Sequence, residues 1–142
     1  MMTILILGAT GFVGSKVTQL LLKEGHRVVC ASRDVATTQA KFPQAEVIYC
    51  DFLHDMHSKV WLSRLAGIDV IINCVGIFYH RDQQLIWDVH LHTPQALYKA
   101  AEQTQVKYII HLSALNIEHY HNNYAQSKLA IENVLRHTSI PS

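Results

Sequence analysis

The sequence predicts an α/β fold: a doubly wound parallel sheet of about five strands with helices on both faces. Three observations carry that expectation. Short apolar runs of strand length alternate with stretches of helical spacing along the whole chain. The first apolar run is followed at once by a glycine-rich turn and an amphipathic segment. The 142 residues, 49% of them apolar, suffice for one domain with a core and are too few for two.

Thr3 to Leu7 is continuously apolar, as a strand buried on both faces must be. Val13, Val17, Leu20 and Leu21 follow at helical spacing, and Gly25 stands where a C-terminal cap belongs. Arg27 to Ala31 reads as the second strand and Val47 to Cys50 as the third. A polar stretch then leads to a short helix around Ser58 to Leu65. Asp69 to Asn73 gives the fourth strand, centred on Val70, Ile71 and Ile72. A long helical region runs from Gln84 to Gln103, with Pro94 expected to kink or break it. Lys107 to Leu112 is the fifth strand and Tyr124 to Arg136 the last helix. Ile140-Pro141-Ser142 reads as the approach to a sixth strand, before which the sheet is expected to stop. An open fifth-strand edge would then be covered by self-association or by a longer chain.

Gly8-Ala9-Thr10-Gly11-Phe12-Val13-Gly14 lies between the first strand and the first helix. Glycines there let backbone amides approach a pyrophosphate, and the helix N-terminus adds a favourable dipole. A tight turn without a ligand is the plainer alternative. At the tip of the second strand an acidic residue would take an adenosine ribose 2′-hydroxyl and favour NAD. Ser32 and Arg33 fall there, and a guanidinium suits a 2′-phosphate, so NADP is expected, with NAD still possible through Asp34. Asp51-Phe52 after the third strand and Cys74-Val75-Gly76 after the fourth lie at the same ligand-binding edge.

Tyr124 and Lys128 are four residues apart, on one face of the last helix. An ammonium near a phenol favours the phenolate, which makes the pair a general acid/base beside a nicotinamide. Ser113, at the end of the fifth strand, is placed to hydrogen-bond a substrate oxygen. The expected catalytic set is therefore Ser113, Tyr124 and Lys128.

Composition excludes other classes. Twelve basic and eleven acidic residues leave a charge of +1, which offers no field for nucleic acid. No apolar run approaches a transmembrane span, and no signal peptide is expected. The cysteines at 30, 50 and 74 lack metal spacing. They are read as reduced thiols of a cytoplasmic protein, either small buried apolar groups or redox-active ones. The ten histidines form no metal motif and are read mainly as surface residues, so no metal is expected.

With these motifs in place, the chain resembles the short-chain dehydrogenase/reductase superfamily over essentially all its length. Within it, the likeness is to the atypical NAD(P)H-binding branch that includes the accessory NADPH-binding subunit of respiratory complex I. Gly8 to Gly14, Asn73-Cys74-Val75-Gly76-Ile77, Val89-His90-Leu91, His111-Leu112-Ser113-Ala114-Leu115 and Tyr124 to Lys128 carry the resemblance, and Glu132 fits it. It implies a Rossmann domain over 1–142, without the C-terminal region that usually makes the substrate pocket. It implies that Gly8, Gly11 and Gly14 cradle the pyrophosphate and that Asp51 and Phe52 flank the adenine. Lys128 would also hold the nicotinamide ribose. His90 stands where many members carry an asparagine of a proton relay. The expected activity is hydride transfer between nicotinamide and a carbonyl or alcohol carbon, with sugar-nucleotide epimerisation as an enzymatic variant. The alternative is a non-catalytic NADP(H)-binding sensor or assembly module.

Overall fold

In a computed structural model that describes residues 1–142, β1 (Thr3–Leu7), β2 (Arg27–Ser32), β3 (Glu46–Tyr49), β4 (Val70–Asn73) and β5 (Tyr108–His111) form one parallel sheet. Its order is β3-β2-β1-β4-β5. Leu5 of β1 pairs with Val29 on one side and Ile71 on the other, and Ile71 pairs with Ile109. The order reverses between β1 and β4, and a crevice opens at the carboxyl ends of the strands at such a point.

Helices α1 (Phe12–Lys23) and α2 (Val35–Lys41) cover one face. The other is covered by α3 (Ser58–Leu62), α5 (Thr93–Ala101) and α6 (Asn123–Arg136). Side-chain alternation along the strands divides the core accordingly. Leu5, Leu7, Ile71 and Ile109 join Trp61, Leu97 and Ile131, while Ile4, Ile6, Val28 and Ile72 pack towards Val17, Leu21 and Phe42. Each fully buried aliphatic side chain contributes on the order of 2 kcal/mol.

Five elements differ from the sequence reading. Helix α2 carries too few apolar residues to show a period. It is set by its cap, since the Asp34 carboxylate accepts from Thr37 N–H at 3.1 Å and Thr37 Oγ1 at 2.8 Å. Strand β3 ends at Tyr49, so Cys50 lies past it, and β5 ends at His111, which leaves Ser113 in the following loop. Helix α3 stops at Leu62. The long helical region continues through Pro94. A helix α4 (Gln83–Trp87) passes into a π-helical turn (Asp88–His92) and then α5, which has Pro94 in its first turn. Proline has no N–H, and its ring would collide with the carbonyl four residues earlier, that of His90. The wider turn, in which Thr93 N–H reaches the Asp88 carbonyl, relieves both problems.

Strand β5 is a sheet edge, and Ile109 N–H donates to the Pro141 carbonyl at 3.0 Å with Ile140 buried in the larger core. The segment read as the approach to a sixth strand thus lies against β5. Tyr108, Ile110 and Leu112 face the other side of β5 and are 49%, 55% and 41% exposed. No helix is long and apolar enough to cross a membrane.

Candidate functional site

The turn after β1 is built by close approach. Gly8 has φ +80°, and a Cβ there would come within 2.8 Å of the Cys74 carbonyl carbon, so the ends of β1 and β4 are pressed together. A Cβ on Gly14 would overlap the Gly8 carbonyl oxygen, so α1 starts directly against the strand end. Gly11 caps α1 without a side-chain hydrogen bond, and the first turn carries no acidic residue. The first-turn N–H groups therefore present a positive helix end. Phe12 and Val13 are exposed beside it.

This turn forms one wall of a cleft of about 490 Å³. Gly8 and Thr10 come from the turn, Ser32 and Arg33 from the end of β2, Asp51 and Phe52 from beyond β3, and Val75 from beyond β4. Residues from four strand ends are thus brought together. Gly11, Phe12, Val13, Gly14, Cys74, Gly76 and Lys128 do not line it. Leu53, Ile77, His80, Leu85 and Val89 do, unforeseen. Leu85 and Val89 sit at helical spacing and look like ordinary core residues in sequence.

The tip of β2 carries the residues on which the NAD and NADP readings turn. The Ser32 hydroxyl accepts from Asp34 N–H at 3.1 Å and from Thr38 Oγ1 at 2.8 Å, so it is engaged in the turn. The Asp34 carboxylate is engaged in capping α2, and the Thr37 N–H and hydroxyl hold it below the usual carboxylate range. Arg33, exposed on the cleft, keeps an uncommitted guanidinium there. Burial pushes the Asp51 carboxyl up. The hydrogen bonds of His54 and Leu53 N–H and the charges of His54 and Arg33 outweigh this, so Asp51 lies below its ordinary value.

Ser113, Tyr124 and Lys128 lie outside the cleft lining. The Ser113 hydroxyl is buried and has no hydrogen-bond partner. Lys128, 4% exposed, donates from Nζ to the Leu112 carbonyl at 2.6 Å, which uses one of its three hydrogens. Burial lowers the ammonium's pKa, against the opposing charges of Glu132 and Cys74. Burial raises the Tyr124 phenol, so the expected lowering by Lys128 does not appear in this arrangement. The Phe78 ring stacks on Tyr124, with centroids 4.9 Å apart and planes at 21°, yet Phe78 itself is 82% exposed.

Two histidines, His90 buried and His111 half-buried, stand behind these groups. His90 accepts from Ile77 N–H through Nε2 at 3.1 Å and meets Ser127 Oγ through Nδ1 at 3.0 Å. His111 Nδ1 meets the Tyr98 hydroxyl at 2.7 Å, and Asn73 Nδ2 donates to that hydroxyl at 3.1 Å. The Tyr98 proton therefore goes to His111, whose own proton is on Nε2, buried and unpartnered. Reading histidines mainly as surface residues missed His111, and the resemblance alone had drawn attention to His90, whose apolar neighbours in Val89-His90-Leu91 were a further signal. Burial pushes the thiols of Cys30 and Cys50 up to about 11 and about 12, which leaves them as small apolar core groups. Groups of three or more metal-ligating side chains do not occur.

Comparison with known proteins agrees with this architecture. The chain is 32% identical over 122 residues to the photosystem II assembly factor Ycf39 of Cyanophora paradoxa, covering 84% of this chain and 36% of that protein. It is 29% identical over 144 residues to its counterpart in Trieres chinensis, covering 99% of this chain and 43% of that one. The chain therefore spans less than half the length of these curated relatives. Among solved structures, UDP-glucuronic acid 4-epimerase from Bacillus cereus in complex with NAD superposes with a TM-score of 0.78 at 23% identity, over 99% of this chain and 54% of that one. The Bordetella bronchiseptica enzyme WbmG in complex with NAD gives 0.84 at 17%, over 99% and 51%. These two likenesses are of fold. The model of the NAD dependent epimerase/dehydratase family matches residues 4–139. With its glycine turn and strand-end cleft, the chain belongs to the NAD dependent epimerase/dehydratase family of short-chain dehydrogenase/reductase-type proteins.

Proposed function

We propose that residues 1–142 are one NADP(H)-binding unit of a cytoplasmic oxidoreductase, which moves a hydride between nicotinamide and a carbonyl or alcohol carbon of a small molecule. The observation that carries this reading is the buried, partnerless Ser113 hydroxyl, next in sequence to the carbonyl that holds the Lys128 ammonium. Leaving such a group unpaired costs about 1–3 kcal/mol, which a ligand oxygen would recover. The residues present fit a dinucleotide: a turn with no room for a side chain at Gly8 or Gly14, a positive helix end and a cleft across the switch point. Arg33, as the uncommitted cation at the β2 tip, favours a 2′-phosphate and hence NADP over NAD.

When bound, the nicotinamide supplies or accepts the hydride. Ser113 donates to the substrate oxygen and fixes its position. Tyr124 Oη gives that oxygen a proton in reduction and takes it back in oxidation. Lys128 has two further N–H donors for ribose hydroxyls. Transient oxidation of a sugar nucleotide, as in an epimerase, uses the same groups.

A second reading has its own support. Phe78 covers one face of Tyr124, and two relatives are described as photosystem II assembly factors. On that reading the chain is an NADP(H)-binding assembly module without turnover. The half-exposed face of β5 supplies apolar surface for a second copy or a longer chain. NADPH oxidation followed at 340 nm with a panel of ketones, aldehydes and sugar nucleotides separates the two. Turnover that is lost in Tyr124→Phe supports the enzyme. NADPH binding with no turnover across the panel supports the module.

A further inference from the structure

His90 is 2% exposed and stands on the π-helical turn before Pro94. Both ring nitrogens are committed, and the direction of each bond is fixed by its partner. Ile77 N–H can only donate, so Nε2 carries no proton. The single ring proton of the neutral imidazole is therefore on Nδ1 and goes to Ser127 Oγ. Ser127 passes its own proton on to the Tyr124 carbonyl at 3.0 Å. A directed line of hydrogen bonds thus runs from Ile77, in the cleft wall, to the backbone of Tyr124.

Other contacts tie the same two pieces together. The His90 and Tyr124 rings meet at 81° with centroids 5.3 Å apart. Phe78, the residue after Ile77, stacks on Tyr124 from the loop. Val75, in the same wall, is held by Asn73 Oδ1 through its N–H at 3.0 Å. Lys128 is the charged group that bears on His90. Burial first, then that charge, pushes the imidazole down to about 4, and His111 and Tyr124 are the other titratable groups beside it. A ring held this way is poorly placed to shuttle protons, because Nε2 faces an amide N–H and the Nδ1 proton goes to a hydroxyl whose own proton ends on a carbonyl.

We infer that His90 is a positioning residue: a neutral imidazole that latches the Val75–Ile77 wall of the cleft to the helix bearing Tyr124, so that cofactor occupancy is felt at the phenol. The inference rests on the cleft being the dinucleotide site. It assigns His90 a role that proton transfer does not require, and it makes the wall and α6 move as one piece.

The test uses two readouts. In the protein without cofactor, long-range ¹H–¹⁵N correlation spectra from pH 5 to 8 should show His90 as the Nδ1–H tautomer with no titration. The Nε2–H tautomer, or a midpoint near 6.5, would overturn the latch. NADPH affinity and the Tyr124 ring resonances are then followed in three variants. His90→Leu should weaken NADPH about five- to tenfold and move Tyr124, and His90→Gln, whose amide offers one acceptor and one donor, should restore most of both. Ser127→Ala keeps the Ile77 bond, so affinity should hold while the NADPH-induced shift of Tyr124 is lost. Wild-type affinity and an unmoved Tyr124 in His90→Leu would overturn the proposal, as would a retained NADPH-induced shift in Ser127→Ala. If His90→Leu does not fold, the other two variants decide. Absence of NADPH binding in the wild type would refute the cofactor reading alone, since the tautomer measurement still decides the latch.

Discussion

At the scale of single residues, two neighbours at the tip of β2 have been given opposite jobs. Asp34 spends its carboxylate on α2, and Arg33 keeps its guanidinium for the cleft. Asp34→Ala should therefore lower stability modestly, as the loss of a helix cap does, and leave the ratio of NADPH to NADH affinity unchanged. A changed ratio would make Asp34 a ribose ligand. Tyr124→Phe removes the only group assigned to carry the proton. It should abolish turnover while NADPH affinity, measured by fluorescence, stays within about twofold. The strand-end residues of the cleft were legible in sequence because each follows an apolar run at a parallel sheet's carboxyl edge. The roles of Ser127, Tyr98 and His111 were not. Their function depends on pairings 13 to 37 residues apart in the chain, which no local pattern encodes.

The elements show a similar division between legible and hidden. β1, β4 and α1 announce themselves by period, since burial on both faces or on one stripe leaves a regular pattern. Helix α2 buries only Thr38 and is held by its cap, so period says nothing about it. Pro94 reads as a break in the sequence, yet a π-helical turn absorbs it and places His90 inward. Gly14 makes the tightest approach between elements. Gly14→Ala should push α1 off the end of β1, destabilise the chain by on the order of 1–3 kcal/mol and weaken cofactor binding. Thermal unfolding and NADPH titration of that variant check both. An unperturbed, tightly binding alanine variant would mean that the turn has room the structure denies.

For the whole molecule, His90 and His111 set the response to acid. Burial lowers His90 from its ordinary 6.5 to about 4 and His111 to about 3, with the Lys128 charge adding to both. A base whose folded pKa is depressed gives full stability above its unfolded pKa. As pH falls through 6.5 the unfolded chain takes up protons that the folded chain refuses, and the loss levels off only below the folded values. Between pH 7.5 and pH 5 each histidine should therefore remove about 2 kcal/mol of stability. Urea unfolding at the two pH values measures the sum, and an unchanged unfolding free energy would mean that both rings are already protonated or exposed in the folded protein.

Calorimetric titration of NADPH and NADH into the wild type and Arg33→Ala asks whether Arg33 holds a 2′-phosphate in this cleft, as proposed. The wild type should bind NADPH at least about tenfold more tightly than NADH, the weight of a charge-assisted hydrogen bond to a phosphate, and Arg33→Ala should lose most of that difference while NADH affinity is unchanged. Equal wild-type affinity for the two dinucleotides, or a preference for NADPH that survives Arg33→Ala, would contradict the proposal.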